Sequence, residues 1–192
     1  KQCFKLAQPF HRELWQQLAS AGLLATPLPA EFGGSDMGLT ELGMILEAQG
    51  KSVAPIPLVE TVVECAMPIA QFGSDALKKR ILSGVASGEL VLSAVRPYQG
   101  LRGKTPLSVH AAGDQWILNG DSALVSYAPV ANGFLVTATL QGRGQWVGYC
   151  DANVDGITVV AQRSTSAELA GHIHFNNVAI SAENTLAING RA

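Results

Sequence analysis

Residues 89–102 read Glu-Leu-Val-Leu-Ser-Ala-Val-Arg-Pro-Tyr-Gln-Gly-Leu-Arg, and they separate two kinds of pattern. Before them apolar residues recur at helical spacing; after them they alternate at strand spacing. Leu90, Val91, Leu92, Ala94 and Val95 make a short apolar run with β-branched members, stopped by Pro97 and followed by Gly100. This predicts a buried strand running into an irregular loop, at a seam between two subdomains where a ligand cleft commonly forms.

Upstream of the seam the pattern predicts four helices. In the first, over 9–21, Leu14, Trp15, Leu18, Ala21 and Leu24 share a face and Gly22 supplies the stop. A Pro/Gly-punctuated loop, Thr-Pro-Leu-Pro-Ala-Glu-Phe-Gly-Gly-Ser-Asp-Met-Gly over 26–38, follows. A second helix starts near Thr40, turns Leu39, Leu42, Gly43, Leu46 and Ala48 inward, and ends at Gly50. The third carries Val59, Val62, Val63, Ala66, Ile69 and Ala70 as far as Gly73. The fourth is capped by Ser74 or Asp75 and buries Leu77, Ile81, Leu82 and Val85. Glu47 and Glu64 fall in apolar surroundings, where a satisfied hydrogen bond is the expected role for a carboxylate rather than acid–base chemistry.

Downstream, Val109–Ala111 and Trp116–Leu118 predict a hairpin about Gly113-Asp114. Asn119-Gly120 is a second turn signal, before Ala123–Ser126. Further strands are expected at 133–140, 145–151, 156–161, 167–175 and 177–180. Turns at Gly142-Arg143-Gly144, Asp155-Gly156 and Asn176-Asn177 separate them. The class is therefore α+β: an N-terminal helical bundle over 1–88, then an antiparallel β-barrel or sandwich domain over 89–192.

The totals exclude several functions. In 192 residues, 47% are hydrophobic and 15% charged, with a net charge of −2, which favours a packed core or large interface over disorder. No basic block exceeds Lys78-Lys79-Arg80, so neither nucleic acid nor a membrane surface is an expected partner. Cys3, Cys65 and Cys150 are scattered without a CxxC pair, which points to reduced, cytoplasmic thiols rather than disulfides or zinc. No apolar run approaches the ~18 residues of a spanning helix. The chain opens without Met and closes on Gly190-Arg191-Ala192, so it reads as a piece of something longer.

Some motifs are decoys. Gly103-Lys104-Thr105 ends like a phosphate loop, but Tyr98 stands where the first glycine belongs and Pro106 spoils the helix start. Gly142–Gly148 imitates a dinucleotide fingerprint, yet a strand follows where a helix is needed. His172 and His174 alternate on one strand face without a third ligand in the pattern, so no metal is expected. There is no GxSxG elbow.

Four stretches, taken in order, resemble the acyl-CoA dehydrogenase family across essentially the whole chain. They are LWQQLASAGLLATPLPAEFGGSDMGLTELGMILEAQGKSVAPIP (14–57), FGSDALKKRILSGVASGELVLSAVRP (72–97), WILNGDSALVSYAPVANGFLV (116–136) and FNNVAISAENTL (175–186). The resemblance implies N-terminal helices, a middle β domain and a C-terminal helical domain, with FAD between the last two. It also implies an acyl-CoA substrate, and a glutamate of the C-terminal domain that removes the α-proton while hydride passes to the flavin.

The resemblance also implies a site. The family's Ala-x-Thr-Glu-Pro-x-x-Gly-Ser-Asp frame falls on Ser93 to Arg102, where only Pro97 and Gly100 match; Val95 replaces the Thr and Arg96 the acid. Its Asn-Gly-x-Lys-x-Trp-Ile-Ser/Thr motif falls on Asn119 to Ser126. There Ser122 replaces Lys, Leu124 replaces the flavin-facing Trp, and Ser126 keeps the hydroxyl. Cofactor contacts are thereby expected at Leu92, Ser93, Ala94, Val95, Gly100, Leu124 and Ser126, and substrate contacts at Leu92 and Leu101. No residue of this chain corresponds to the catalytic glutamate. Two readings stay open: an FAD-dependent acyl-CoA dehydrogenase seen through its first two domains, or a non-catalytic structural subunit in an oligomer with other acyl-CoA dehydrogenase subunits.

Overall fold

A computed structural model describes residues 10–97, 105–140, 144–164 and 168–188. Helix α1 (Arg12–Ser20) begins where His11 Nδ1 accepts from the Leu14 N–H and ends before Gly22, whose φ of 73° a β-carbon would resist. Trp15 is its buried anchor. Leu24 lies past the helix end, and Ala21 is exposed at its C-cap.

Helix α2 (Leu39–Ser52) departs from expectation. It runs past Gly50 and closes on Val53 in a left-handed conformation. Only Leu42 is buried along it, while Leu39 and Met44 stand open at 69% and 68% exposure. An apolar pattern records what a helix is able to bury, and on α2 most of that capacity is unused in this chain.

The third helical segment is wound in two ways. Val59–Ala66 is π-helical and passes directly into α3 (Met67–Phe72). The looser turn turns Thr61, Val62, Cys65 and Ala66 all inward, a π insertion of the kind that often marks working sites. Helix α4 (Asp75–Ala86) follows the sequence closely: the Ser74 hydroxyl accepts from the Leu77 N–H, and Leu77, Ile81, Leu82 and Val85 are buried.

After Gly88 the described residues form strands and short 3₁₀ turns: β1 (Leu92–Val95), β2 (Ser108–Ala112), β3 (Gln115–Ser126), β4 (Gly133–Leu140), β5 (Gln145–Asp151), β6 (Ile157–Arg163), β7 (Leu169–Ser181) and β8 (Thr185–Ile188). The α+β class holds. The sheet is mixed rather than wholly antiparallel, with order β6-β7-β3-β2-β4-β5-β8 and β1 branching from β4. Both β1 and β2 pair parallel to β4.

Two expected turns lie inside strands instead. Asn119-Gly120 sits within β3, where Gly120 has φ 127° and a β-carbon would meet the Pro106 carbonyl oxygen at 2.5 Å. Asn176-Asn177 is a bulge in β7, with Asn177 at φ 52°. The residues that suit a turn also suit a bulge, since both demand unusual backbone angles.

Two cores share β1 as a wall. Leu92 packs with Trp15, Leu58, Val62, Ile81 and Leu135 in the helical core. Val95 packs with Phe134, Trp146, Ile173 and Phe175 in the β core.

Candidate functional site

The chain leaves the helices at Gly88, whose carbonyl accepts from Trp15 Nε1 at 3.0 Å and Gln16 Nε2 at 2.7 Å. The strand is then set by parity. Asn132 donates its N–H to the Val91 carbonyl at 2.7 Å, and its side-chain oxygen accepts from the Val91 N–H at 2.8 Å. So Val91 faces β4. One residue on, the Thr61 hydroxyl accepts from the Leu92 N–H and donates to the Leu92 carbonyl, each at 3.0 Å. Leu92 therefore faces away from β4. Alternation along a parallel strand then turns the Ser93 and Val95 backbones toward β4 and the Ala94 N–H and C=O toward the other edge.

Side chains alternate as well. Leu92, Ser93 and Val95 are fully buried, and the half-buried Ala94 packs against the helical core. The Ser93 hydroxyl donates to the Ser126 carbonyl at 2.8 Å, and the Ser122 hydroxyl donates to the Arg96 carbonyl at 3.2 Å. These two bonds lay the end of β3 alongside β1. Between them Leu124 is the extra residue of a bulge. It has φ 55°, its side chain is 55% exposed, and its N–H donates to Gln162 Oε1 at 3.2 Å.

The structure thus brings Ser93, Ala94, Val95, Leu124 and Ser126 into one wall. Within it, Ala94 offers backbone groups, Leu124 an apolar surface and Ser126 a half-buried hydroxyl. Leu92 offers nothing outward: its side chain is inside and Thr61 holds its backbone. Val95 points into the β core, and the hydroxyl of Ser93 is engaged. Gly100 and Leu101 lie outside the described residues, as do Cys3, Gly103-Lys104 and Gly142-Arg143. A flat ring system fits this wall in outline, with an open backbone edge beside an exposed apolar side chain, but it meets fewer side-chain donors here than the family frame supplies.

Charged groups cluster beside the wall. Arg96 pairs with Glu64 at 2.6 Å. Glu60 carries the perturbed carboxyl of this segment. Burial pushes it up to about 7 against the pull of its own backbone N–H, helped by the nearby charges of Glu168 and Glu64 and a hydrogen bond with Glu168. Glu47, by contrast, is exposed and paired with Lys51 at 2.7 Å. Glu60 was the acid to find, four residues before Glu64 in one apolar helix. Thr61 carried no signal at all.

His172 and His174 do share a face, and the group they meet is Asp121. Its Oδ1 accepts from His172 Nε2 at 2.8 Å and from His174 Nδ1 at 3.2 Å, while Oδ2 accepts from the Thr105 N–H at 3.3 Å. Asp121 is 9% exposed. Burial would raise its pKa, but the bonds from His172, Thr105 and His174 outweigh that and hold it below the usual carboxylate value. Among the described residues no three His, Cys, Asp or Glu side chains are grouped to hold a metal ion. Cys65 and Cys150 are buried free thiols, and no helix among the described residues is long and apolar enough to cross a membrane.

A helical bundle feeding a mixed sheet, with a two-strand wall at their junction, defines the class. The profile of the acyl-CoA dehydrogenase N-terminal domain matches residues 4–89, and the chain belongs to the acyl-CoA dehydrogenase family. Acyl-CoA dehydrogenase FadE27 of Mycobacterium tuberculosis is 34% identical over 178 residues, covering 93% of this chain and 47% of that protein. Among solved structures, the ChsE4-ChsE5 complex from Mycobacterium tuberculosis superposes with a TM-score of 0.88 at 31% identity, over 97% of this chain and 50% of that one. A variant of the Tcur3481-Tcur3483 steroid ACAD gives 0.84 at 30% identity, over 98% and 51%. The chain spans about half the length of the relatives it matches.

Proposed function

We propose that this chain forms one wall of the flavin slot in an FAD-dependent acyl-CoA dehydrogenase acting between the α and β carbons of an acyl-CoA thioester. The observation that carries the reading is the Ser93–Ser126 bond, which sets an open backbone edge next to an exposed Leu124. In this reading the Ala94 N–H and C=O would help hold FAD at the open edge of β1, Leu124 would give it an apolar cover that excludes water, and the Ser126 hydroxyl would donate to it. FAD, when bound, supplies the acceptor for the departing hydride. We assign proton removal to no described residue; Glu64 is already paired with Arg96.

The second reading is a structural subunit that packs against a catalytic relative in a hetero-oligomer. Its support is specific. Val95 faces the core and the Ser93 hydroxyl is consumed, while Leu124 forfeits about 1 kcal/mol of aromatic stacking that a Trp there would add. Two of the structures it resembles are two-component complexes by title. In either reading the protein works with acyl-CoA dehydrogenase subunits. We place it in the cytoplasm, with residues 1–88 and 89–192 as its two domains.

The test is flavin binding by the purified chain. Visible flavin absorbance, or saturable quenching of added FAD at micromolar concentration, supports the first reading. A colourless chain that quenches nothing, and that captures flavin only when co-expressed with a catalytic paralogue, replaces it with the second.

A further inference from the structure

We propose that Gln162 is a positioning residue for the wall: its side-chain carbonyl holds Leu124 in the left-handed conformation that turns the leucine outward. The inference rests on the wall being one side of the flavin slot, and it brings β6 into that site. The starting point is a backbone angle. Leu124 has φ 55°, a region where a bulky L residue crowds the backbone and where glycine, asparagine or aspartate is the usual occupant. Such outliers persist where the surroundings over-determine them, and they gather at working sites.

Packing does little to impose this angle, because the side chain is 55% exposed. The backbone bond does more. Leu124 lies in the register shift between Ser122, paired with Ile173, and Val125, paired with Gly171, so it has no partner of its own in β7. Its N–H goes instead to Gln162 Oε1 at 3.2 Å. A side chain from β6 thus takes the place of a ladder bond in β3.

The sheet is built for that reach. Gln162 is paired with Ala170 of β7, and Ala170 with Ser126 of β3. Directly paired residues share a face, so the three form one row, with Gln162 at one end and the Ser126 hydroxyl at the other. Crossing two strand spacings, about 10 Å, takes a long side chain, and the residue between must be small, as Ala170 is. The middle strand is closely held: a β-carbon on Gly171 would meet Ala128 Cβ and Val159 Cγ1 at 3.1 Å each. What the contact needs at position 162 is an acceptor at the end of a long side chain. Glutamate has one, and methionine, of similar length, has only a weak one. Without that acceptor the bulge relaxes toward extended backbone, and Leu124 leaves its place beside Ala94.

The experiment is NMR of the whole chain, reading amide hydrogen exchange and backbone chemical shifts at Leu124, beside a titration with FAD. Gln162→Met should speed exchange at Leu124 about fivefold, the worth of one such bond, and move its shifts away from left-handed values. It should weaken FAD binding several-fold and leave the core amides of Phe134 and Ile173 unchanged. Gln162→Glu should restore both the exchange rate and the shifts. Val160→Ala, exposed on the same face of β6, should alter neither. Exchange and shifts at Leu124 that ignore Gln162→Met, or that change as much with Val160→Ala, overturn the proposal. So does a freed Leu124 amide with FAD affinity unchanged. If the wild-type chain binds no FAD, the reading of the slot fails, while exchange and shifts still decide whether Gln162 sets the conformation of Leu124.

Discussion

The hydroxyl of Ser93 reaches the carbonyl of Ser126 across 2.8 Å, joining a strand that belongs to both cores to the rim of the sheet. The two residues are far apart in sequence, and the bond fixes how closely β1 and the bulged end of β3 approach. The spacing of the proposed slot rests on it.

Ser93→Ala should lower the unfolding free energy by about 1 kcal/mol, the net worth of one such bond. Flavin retention should fall further than this loss implies, because Leu124 would no longer be held at a fixed distance from Ala94. Equilibrium unfolding read beside a flavin titration separates the two effects. Equal losses in both would mean that the bond only stabilises the fold.

Thr61 does more than its size suggests. Its hydroxyl satisfies both backbone groups of the buried Leu92, and Thr61→Val, nearly the same shape, leaves both without a partner. The expected cost is about 2–4 kcal/mol in urea unfolding. Thr61→Ser restores the hydroxyl and should recover most of it.

Val95→Thr tests how far the family frame transfers. The side chain at this position lies wholly within the β core, so the added hydroxyl enters an apolar interior rather than reaching a ligand. The substitution should destabilise by about 1–2 kcal/mol and leave flavin binding no tighter. Leu124→Trp, at an exposed site, should tighten binding several-fold with little effect on the unfolding midpoint. A gain from Val95→Thr alone would refute this placement of the strand.

Gly120→Ala should be among the most damaging single changes in the chain, costing about 3 kcal/mol or more. It forces a β-carbon onto the Pro106 carbonyl at a backbone angle that L residues avoid. Gly113→Ala, also at positive φ but with nothing within 4 Å, should cost about 1 kcal/mol. Thermal melts of the pair distinguish crowding from backbone strain.

Asp121 sets the acid limb of stability. Its carboxyl is held below its ordinary value of 3.8, so its contribution is present above that pH and disappears as pH falls through the folded value. Asp121→Asn should melt lower than wild type at neutral pH, and the difference should shrink as pH falls below the ordinary carboxylate value. A difference that stays constant through acid unfolding would show that the charge on Asp121 is unimportant.

Much of this was legible beforehand, and the misses share a cause. Leu77, Ile81, Leu82 and Val85 behind a Ser74 cap left no doubt about α4, and the strands over 133–140 and 145–151 appear within those bounds. Asn119-Gly120 and Asn176-Asn177 misled because their backbone freedom serves a bulge as readily as a hairpin. Leu39 misled because periodicity shows which face is apolar and not whether anything covers it. At the proposed wall, the motif positions did not say which atoms β1 turns outward. That depends on the parity of β1, which Asn132 and Thr61 set from distant parts of the chain.

That parallel strand also has a consequence in time. Val91 meets Asn132 at a separation of 41 residues, and β3 must wait for β7 before Asp121 finds its histidines. Such non-local pairings close slowly, because the entropy of a long loop is lost before any contact returns it. The helices are able to form as soon as they are synthesised, yet the face of β1 that they cover has no partner strand until β4 arrives. For that interval Val95 lacks the β core that buries it and the Val91 backbone lacks Asn132, leaving that side of β1 open to other chains. A ribosome that pauses between residues 95 and 133 would lengthen the exposure, which makes the speed of translation through this stretch a determinant of how much protein reaches the folded state.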